Sequence, residues 1–388
     1  MFKIKTMNAI SPIGLSQFPK EHYEISSEID HPDVILVRSH DLKKDIIPTS
    51  IKAIGRAGAG LNNVPVKEMT QRGIPVFYTP GANANAVREL VIAGMLLSCR
   101  NICQAWNYVS HINVSADQLD AEVEKNKKQF VGFELMGKTL GIIGLGSIGV
   151  KVANAAISLG MNVIGHDPTI TVNRAWELSS QVKPMFSIDE LLANADFVSF
   201  HVPLTDTTRN MINSNRFQIM KPGVTLLNFA RDGIIDNEAL LDALQTKKVL
   251  SYVTDFPSAQ LIQHPRVISL PHLGASTLEA EENCAVMIAN QVRRFLEFGS
   301  ITNAINFPSI EVPLPANAIR LSIVNANIPN MVAQISSKLA DASLNIASLA
   351  NQSLHDIAYT LIDINSTVSD IVLQQIKSID GVLQVRML

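Results

Sequence analysis

Gly144, Gly146 and Gly149 stand at the spacing G-x-G-x-x-G, directly after one apolar run and directly before another with helical spacing. In that context Gly144 permits a tight turn and Gly146 lets backbone approach a pyrophosphate. Gly149 lets the helix pack closely on the sheet, and the helix N-terminus offers unpaired N–H groups to the anion. Asp167 follows 18 residues after Gly149, where the next apolar run ends. A carboxylate there accepts hydrogen bonds from both ribose hydroxyls and repels a 2′-phosphate, so NAD is expected rather than NADP. Three later residues, Arg231, Asp255 and His272, also follow apolar runs. A guanidinium can hold a carboxylate bidentately, and a histidine can exchange the proton of a hydroxyl as hydride leaves. The chemistry these groups share is hydride transfer between a dinucleotide and a small hydroxy acid.

Such groups need strands that end at one edge. Thr139–Gly144, Asn162–His166, Phe197–Phe200, Val224–Asn228, Val249–Val253 and Val267–Leu270 read as buried strands with helical patterns between most of them. That alternation predicts a parallel sheet covered on both faces, with ligands at the carboxyl ends of its strands. An earlier series, Val34–Val37, Ala53–Gly55 and Pro75–Tyr78, predicts a second α/β lobe. Long helices are expected over about 85–103 and 277–298, with a polar helix or loop over 117–129. Phe307 to Pro315 carries three prolines and reads as a linker. The tail has the order βαββαβ, a ferredoxin-like arrangement large enough for a small domain. The expected division is a split lobe of residues 1–94 and 280–310, a cofactor domain of 95–279 and a tail domain of 317–388.

Composition removes other classes. At 47% hydrophobic and 17% charged residues the chain has ample core, and its net charge of -3 leaves no footprint for nucleic acid or an anionic membrane. An anionic substrate therefore needs a local cationic pocket. The apolar stretch Leu90–Cys99 is too short to span a bilayer, and Met1–Ser11 lacks the apolar core of a signal peptide. Cys99, Cys103 and Cys284 read as small buried residues in a reducing, cytoplasmic compartment, and no metal site is expected.

Asn228-Phe-Ala-Arg231-Asp-Gly and Pro271-His272-Leu-Gly-Ala-Ser276 resemble the signature segments of the D-2-hydroxy-acid dehydrogenases. The likeness continues through Gly58-Ala-Gly60-Leu-Asn-Asn63, Thr79-Pro-Gly-Ala-Asn83-Ala-Asn85 and Tyr252-Val-Thr-Asp255-Phe-Pro, and it covers nearly the whole chain. Within the family these segments are most similar to the short type that acts on 3-phosphoglycerate. The resemblance implies that Arg231 binds the substrate carboxylate, that His272 is the acid/base and that Asp255 meets the nicotinamide amide. It further implies that Ser147, Ile148, Phe229, Ala230, Gly274 and Ala275 line the cofactor. Gly58, Ala59, Gly60 and Asn83 would line the substrate, and Arg38 with Ser39 would meet its phosphate. The active site would lie in a cleft between the lobes.

One departure stands out. The family's glutamate after the Asp-x-Pro segment, which pairs with the histidine, falls here on Ala259 or Gln260. A glutamine can orient an imidazole, but a neutral partner does not stabilise an imidazolium. The tail resembles an ACT domain, which implies an effector such as L-serine near Asn325, Asn327 and Asn345 and a homodimer or homotetramer. Two rival readings remain open: a dehydrogenase for another acid such as glycerate or hydroxypyruvate, and a catalytically weak NAD-binding regulator.

Overall fold

The structure, a computed structural model, describes residues 1–315 and 318–388. The expected start of the tail domain at residue 317 lies outside the described residues. The chain forms two compact units, Met1–Asn83 with Leu278–Leu388, and Ala84–Thr277. The break falls at 83/84 rather than near 94, because the helix Ala84–Cys99 packs on the strands and first helix of the second unit.

In the first unit β1 (Phe2–Met7), β2 (Tyr23–Ser26), β3 (Val34–Val37), β4 (Ala53–Arg56) and β5 (Val76–Phe77) make a parallel sheet of order 2-1-3-4-5. The strands β1 and β2 were not anticipated, since Lys3, Lys5 and Glu24 interrupt their apolar residues. The long helix Leu278–Phe298 covers this sheet, burying Cys284, Ile288, Val292 and Phe295 with Ile4, Leu36, Ala53 and Phe77. Gly55 permits that approach: a Cβ there would sit 2.9 Å from Ile288 and 2.7 Å from Leu36.

The second unit is a seven-stranded parallel sheet. Its strands are β6 (Thr139–Ile143), β7 (Asn162–His166), β8 (Lys183–Pro184), β9 (Phe197–Phe200), β10 (Val224–Asn228), β11 (Val249–Thr254) and β12 (Val267–Ser269). Their order is 12-11-10-9-6-7-8, a doubly wound sheet whose direction of winding reverses between β9 and β6. β9 and β10 are buried along their whole length because helices cover both faces.

The helix expected over 85–103 is two helices, Ala84–Cys99 and Ile102–Ser110. Asn101 between them is left-handed (φ 51°), and the Cys99 carbonyl accepts the Phe133 N–H at 2.9 Å instead of continuing the helical ladder. Gly132 is needed there, because a Cβ would collide with that carbonyl. The polar stretch after it forms the helix Leu119–Asn126, which buries no residue.

The tail is an antiparallel sheet of β13 (Ile319–Ala326), β14 (Ile346–Leu354), β15 (Ile357–Ile364) and β16 (Val382–Met387), ordered 14-15-13-16. With the helices Met331–Asp341 and Asp370–Lys377 on one face, it is the βαββαβ fold. Its other face joins the core of the first lobe, where Tyr359 and Leu361 meet Phe295, Leu296 and Phe307. Arg320 and Asp363, adjacent on β13 and β15 and fully buried, form a bidentate pair at 2.7 and 2.8 Å. The same guanidinium donates to the carbonyls of Phe298, Val312 and Pro313. The proline-rich stretch is thus a fastened strap rather than a loose spacer, with Phe307 and Ile310 buried. Among the described residues no helix is long and apolar enough to cross a membrane, and no group of three metal-ligating side chains gathers.

Candidate active site

The glycine loop joins β6 to the helix Ser147–Ser158. Gly144 is left-handed (φ 93°), and a Cβ there would meet the His201 carbonyl at 2.6 Å. A Cβ on Gly149 would collide with the Gly144 carbonyl, while one on Gly146 would meet nothing within 4 Å. The loop therefore closes on itself inwardly and is open outwardly at Gly146. Gly146 is the N-cap residue, and no side chain caps the helix that Ser147 and Ile148 begin. Asp167 follows β7 and binds back to the loop: Oδ2 accepts the Leu145 N–H at 2.8 Å, and Oδ1 accepts the Thr169 N–H at 2.9 Å. A pyrophosphate fits this cradle, with the carboxylate fixed beside it for a ribose.

β10, β11 and β12 are neighbours, so their carboxyl ends bring Arg231, Asp255 and His272 to one edge. Asn228 at the end of β10 is buried and shapes the turn. Its Nδ2 donates to the Arg231 carbonyl at 2.9 Å, and its Oδ1 accepts the Ala230 N–H at 3.2 Å. Phe229 and Ala230 are buried below, whereas Arg231 is exposed with its guanidinium donating to the Ala230 carbonyl.

His272 has a left-handed backbone (φ 58°), an uncommon state for a residue other than glycine and one that recurs at functional positions. Asp255 holds it there. The Asp255 carbonyl accepts the His272 N–H at 3.1 Å. Its carboxylate, 1% exposed, accepts the Leu273 and Gly274 N–H groups at 2.7 Å each. Gly274 is needed for this fit, since a Cβ there would lie 3.2 Å from the carboxylate; Ala275 follows, half-buried. The family resemblance implies that Asp255 meets the nicotinamide amide, but both its oxygens are engaged by the histidine loop. Asp255→Asn would set an amide N–H₂ against one backbone N–H. It is expected to cost about 1–3 kcal/mol and to lower turnover at least tenfold, read by thermal melting and NADH formation. Wild-type values in both would overturn the clamp.

Gln260 does not reach His272: it is exposed on a turn, and no hydrogen bond joins the two. The neighbour of the imidazole is the Phe256 ring, with centroids 5.0 Å apart. An aromatic ring packs the histidine without supplying charge.

In the first unit, Arg38 and Arg56 end β3 and β4, so two guanidinium groups stand at one carboxyl edge. Sequence reasoning missed Arg56, although its place at the end of an apolar run is the same signal that marked Arg38. Arg38 pairs with Glu281 at 2.5 Å, both about a third exposed. The Arg56 side chain lies over Gly58, where a Cβ would collide with it. The Gly58 carbonyl accepts the Thr79 N–H at 3.1 Å. Ser39 is exposed, and Ala59, Gly60 and Asn83 are half-buried in the loops around this edge. Burial pushes the nearby Cys284 thiol up.

A glycine cradle on a doubly wound sheet, with a fixed carboxylate on one side of it and an arginine and a histidine on the other, defines a dinucleotide-dependent oxidoreductase domain. Residues 92–274 match the D-isomer specific 2-hydroxyacid dehydrogenase, NAD binding domain. A D-3-phosphoglycerate dehydrogenase of Escherichia coli is 34% identical over 90% of this chain and 85% of its own length. The chain belongs to the D-isomer specific 2-hydroxyacid dehydrogenase family, and NAD is its cofactor. A D-3-phosphoglycerate dehydrogenase of Archaeoglobus fulgidus is 36% identical over 74% of this chain, which spans only 54% of that relative's length. Among solved structures, an NAD+-bound 3-phosphoglycerate dehydrogenase of Entamoeba histolytica superposes with a TM-score of 0.60 at 25% identity, covering 78% of this chain and 98% of its own.

Proposed function

We propose that the chain is a D-3-phosphoglycerate dehydrogenase, oxidising 3-phosphoglycerate to 3-phosphohydroxypyruvate on the route to serine. The observation that carries this reading is the His272 loop, held left-handed by Asp255 on the strand next to the one that presents Arg231. Arg231 clamps the substrate carboxylate, and His272 takes the hydroxyl proton. Bound NAD supplies the acceptor for the hydride that leaves the same carbon. Gly58, Ala59, Gly60 and Asn83 line the substrate, and Arg38 with Ser39 meets its phosphate, Arg56 standing alongside. The curated relatives of the same name support that substrate.

NADH absorbance with 3-phosphoglycerate, against glycerate and D-lactate, tests the assignment. Turnover of the phosphorylated acid alone is the expected result. A non-phosphorylated acid as the preferred substrate is the second reading, and one observation favours it: Glu281 already neutralises Arg38. Arg38→Ala separates the two. It is expected to raise KM for 3-phosphoglycerate about 10- to 100-fold, the loss of a charged hydrogen bond, and to leave glycerate unaffected. An unchanged ratio of the two KM values would exclude the phosphate contact.

The tail serves in this reading as an ACT-like sensor for an amino acid such as L-serine. Asn325 is 2% exposed with its Oδ1 unpartnered, and Asn327 Nδ2 donates to the His355 carbonyl, whereas Asn345 is exposed before β14, at the Ile319 end of the sheet rather than beside Asn325. Self-association as a homodimer or homotetramer is supported by the helices Ile102–Ser110 and Leu119–Asn126, which bury nothing and leave Trp106 70% exposed. Three free cysteines suit the reducing cytoplasm.

A further inference from the structure

His201 follows β9 directly, beside the point where the winding of the sheet reverses. In the ladders, Phe200 stands level with Ile143 of β6 and Asn228 of β10, and Asn228 stands level with Thr254 of β11. One residue further on, Gly144, His201, Phe229 and Asp255 therefore form a row across the carboxyl edge. Contacts support the row: the His201 N–H donates to the Ile143 carbonyl at 2.8 Å, and its own carbonyl lies against Gly144. His201 is thus placed between the glycine cradle and the residue that clamps the histidine loop.

Its side chain is half used. Nε2 lies 2.9 Å from the hydroxyl of Ser199, which is fully buried, while Nδ1 is buried with no partner among the described residues. A buried polar atom without a partner costs about 1–3 kcal/mol, a cost that a ligand hydroxyl reaching Nδ1 would remove. Burial holds this imidazole neutral, pushing its pKa down to about 3. A neutral ring suits a hydroxyl rather than a phosphate, whose charge the N–H groups of the cradle already meet. Ser199 can donate to Nε2 or accept from it, so Nδ1 can take either role toward a hydroxyl.

Asp167 fixes which hydroxyl. It ends β7, on one side of β6, and His201 ends β9 on the other. A dinucleotide with its adenosine ribose at Asp167 and its pyrophosphate at Gly144–Gly149 lays its nicotinamide half across β9 and β10. We propose that His201 is a cofactor-binding residue, its Nδ1 pairing with a hydroxyl of the nicotinamide-side ribose. The proposal rests on the dinucleotide reading of this domain and adds a residue that the glycine motif does not contain.

Calorimetric titration of the whole chain with NAD, ADP-ribose and AMP tests it without any turnover. ADP-ribose keeps the second ribose and AMP lacks it. His201→Phe is expected to weaken NAD and ADP-ribose about five- to tenfold, one hydrogen bond, and to leave AMP unchanged. His201→Asn, whose amide reaches the position of Nδ1, is expected to restore NAD binding to within about threefold. Wild-type NAD affinity in folded His201→Phe, or equal weakening of AMP, would overturn the proposal. No NAD binding by the unaltered chain would instead sink the dinucleotide reading, and this proposal with it.

Discussion

His272→Asn should reduce kcat by about 10²- to 10⁴-fold, the usual contribution of a positioned acid/base, while NAD affinity and thermal stability stay near wild type. Asparagine is the informative replacement because His272 has φ 58°. Asparagine tolerates the left-handed region, whereas alanine would add backbone strain and blur the result. The loop stays anchored, since its bonds to Asp255 come from backbone N–H groups. Steady-state NADH formation gives kcat, and titration with NAD gives the affinity. A kcat within tenfold of wild type would show that His272 is not the group that moves the proton. Phe256 packs the ring without contributing charge, and both oxygens of the nearby Asp255 are held by backbone N–H groups.

The second large effect concerns stability. Arg320→Ala is expected to destabilise the first unit by about 3–5 kcal/mol, because it leaves the fully buried Asp363 uncompensated. The double variant Arg320→Met with Asp363→Leu removes the lone charge but should recover only part of the loss. The carbonyls of Phe298, Val312 and Pro313 would still lack their donor, at about 1 kcal/mol each. Urea unfolding of the three proteins measures both. A single variant within about 0.5 kcal/mol of wild type, the range of an ordinary surface change, would mean the pair is not what fastens the tail.

How far these features were legible depends on how local their causes are. The glycine loop, Asp167 and the strand ends carrying Arg231 and His272 were readable, because a strand, a turn and a helix start are written in adjacent residues. The break at Asn101 was not: it lies within an apolar helical pattern, and its cause is the Phe133 N–H more than thirty residues on. The clamp on His272 escaped for the same reason, since Asp255 lies 17 residues earlier and reads as a cofactor contact by resemblance. The strand β8, Lys183–Pro184, is exposed and carries no apolar run, unlike the equally short but buried β5. Gln260 was chosen by position along the chain, and position does not say which way a turn faces. His201 stands at the end of an apolar run as Arg38 does, but its meaning lies in register across four strands, which the run does not show.

The route of the chain has a consequence for synthesis. The sheet of residues 1–83 is covered by the helix Leu278–Phe298, about 200 residues later. As the chain leaves the ribosome, those first strands emerge without the surface that buries them. The unit Ala84–Thr277 is contiguous and can close as soon as β12 appears. The middle should therefore fold first and the two ends last, together, with the tail sheet locking on when Arg320 and Asp363 meet. Until then the uncovered apolar strands β3 and β4 are the stretch most exposed to chaperones and to mispairing.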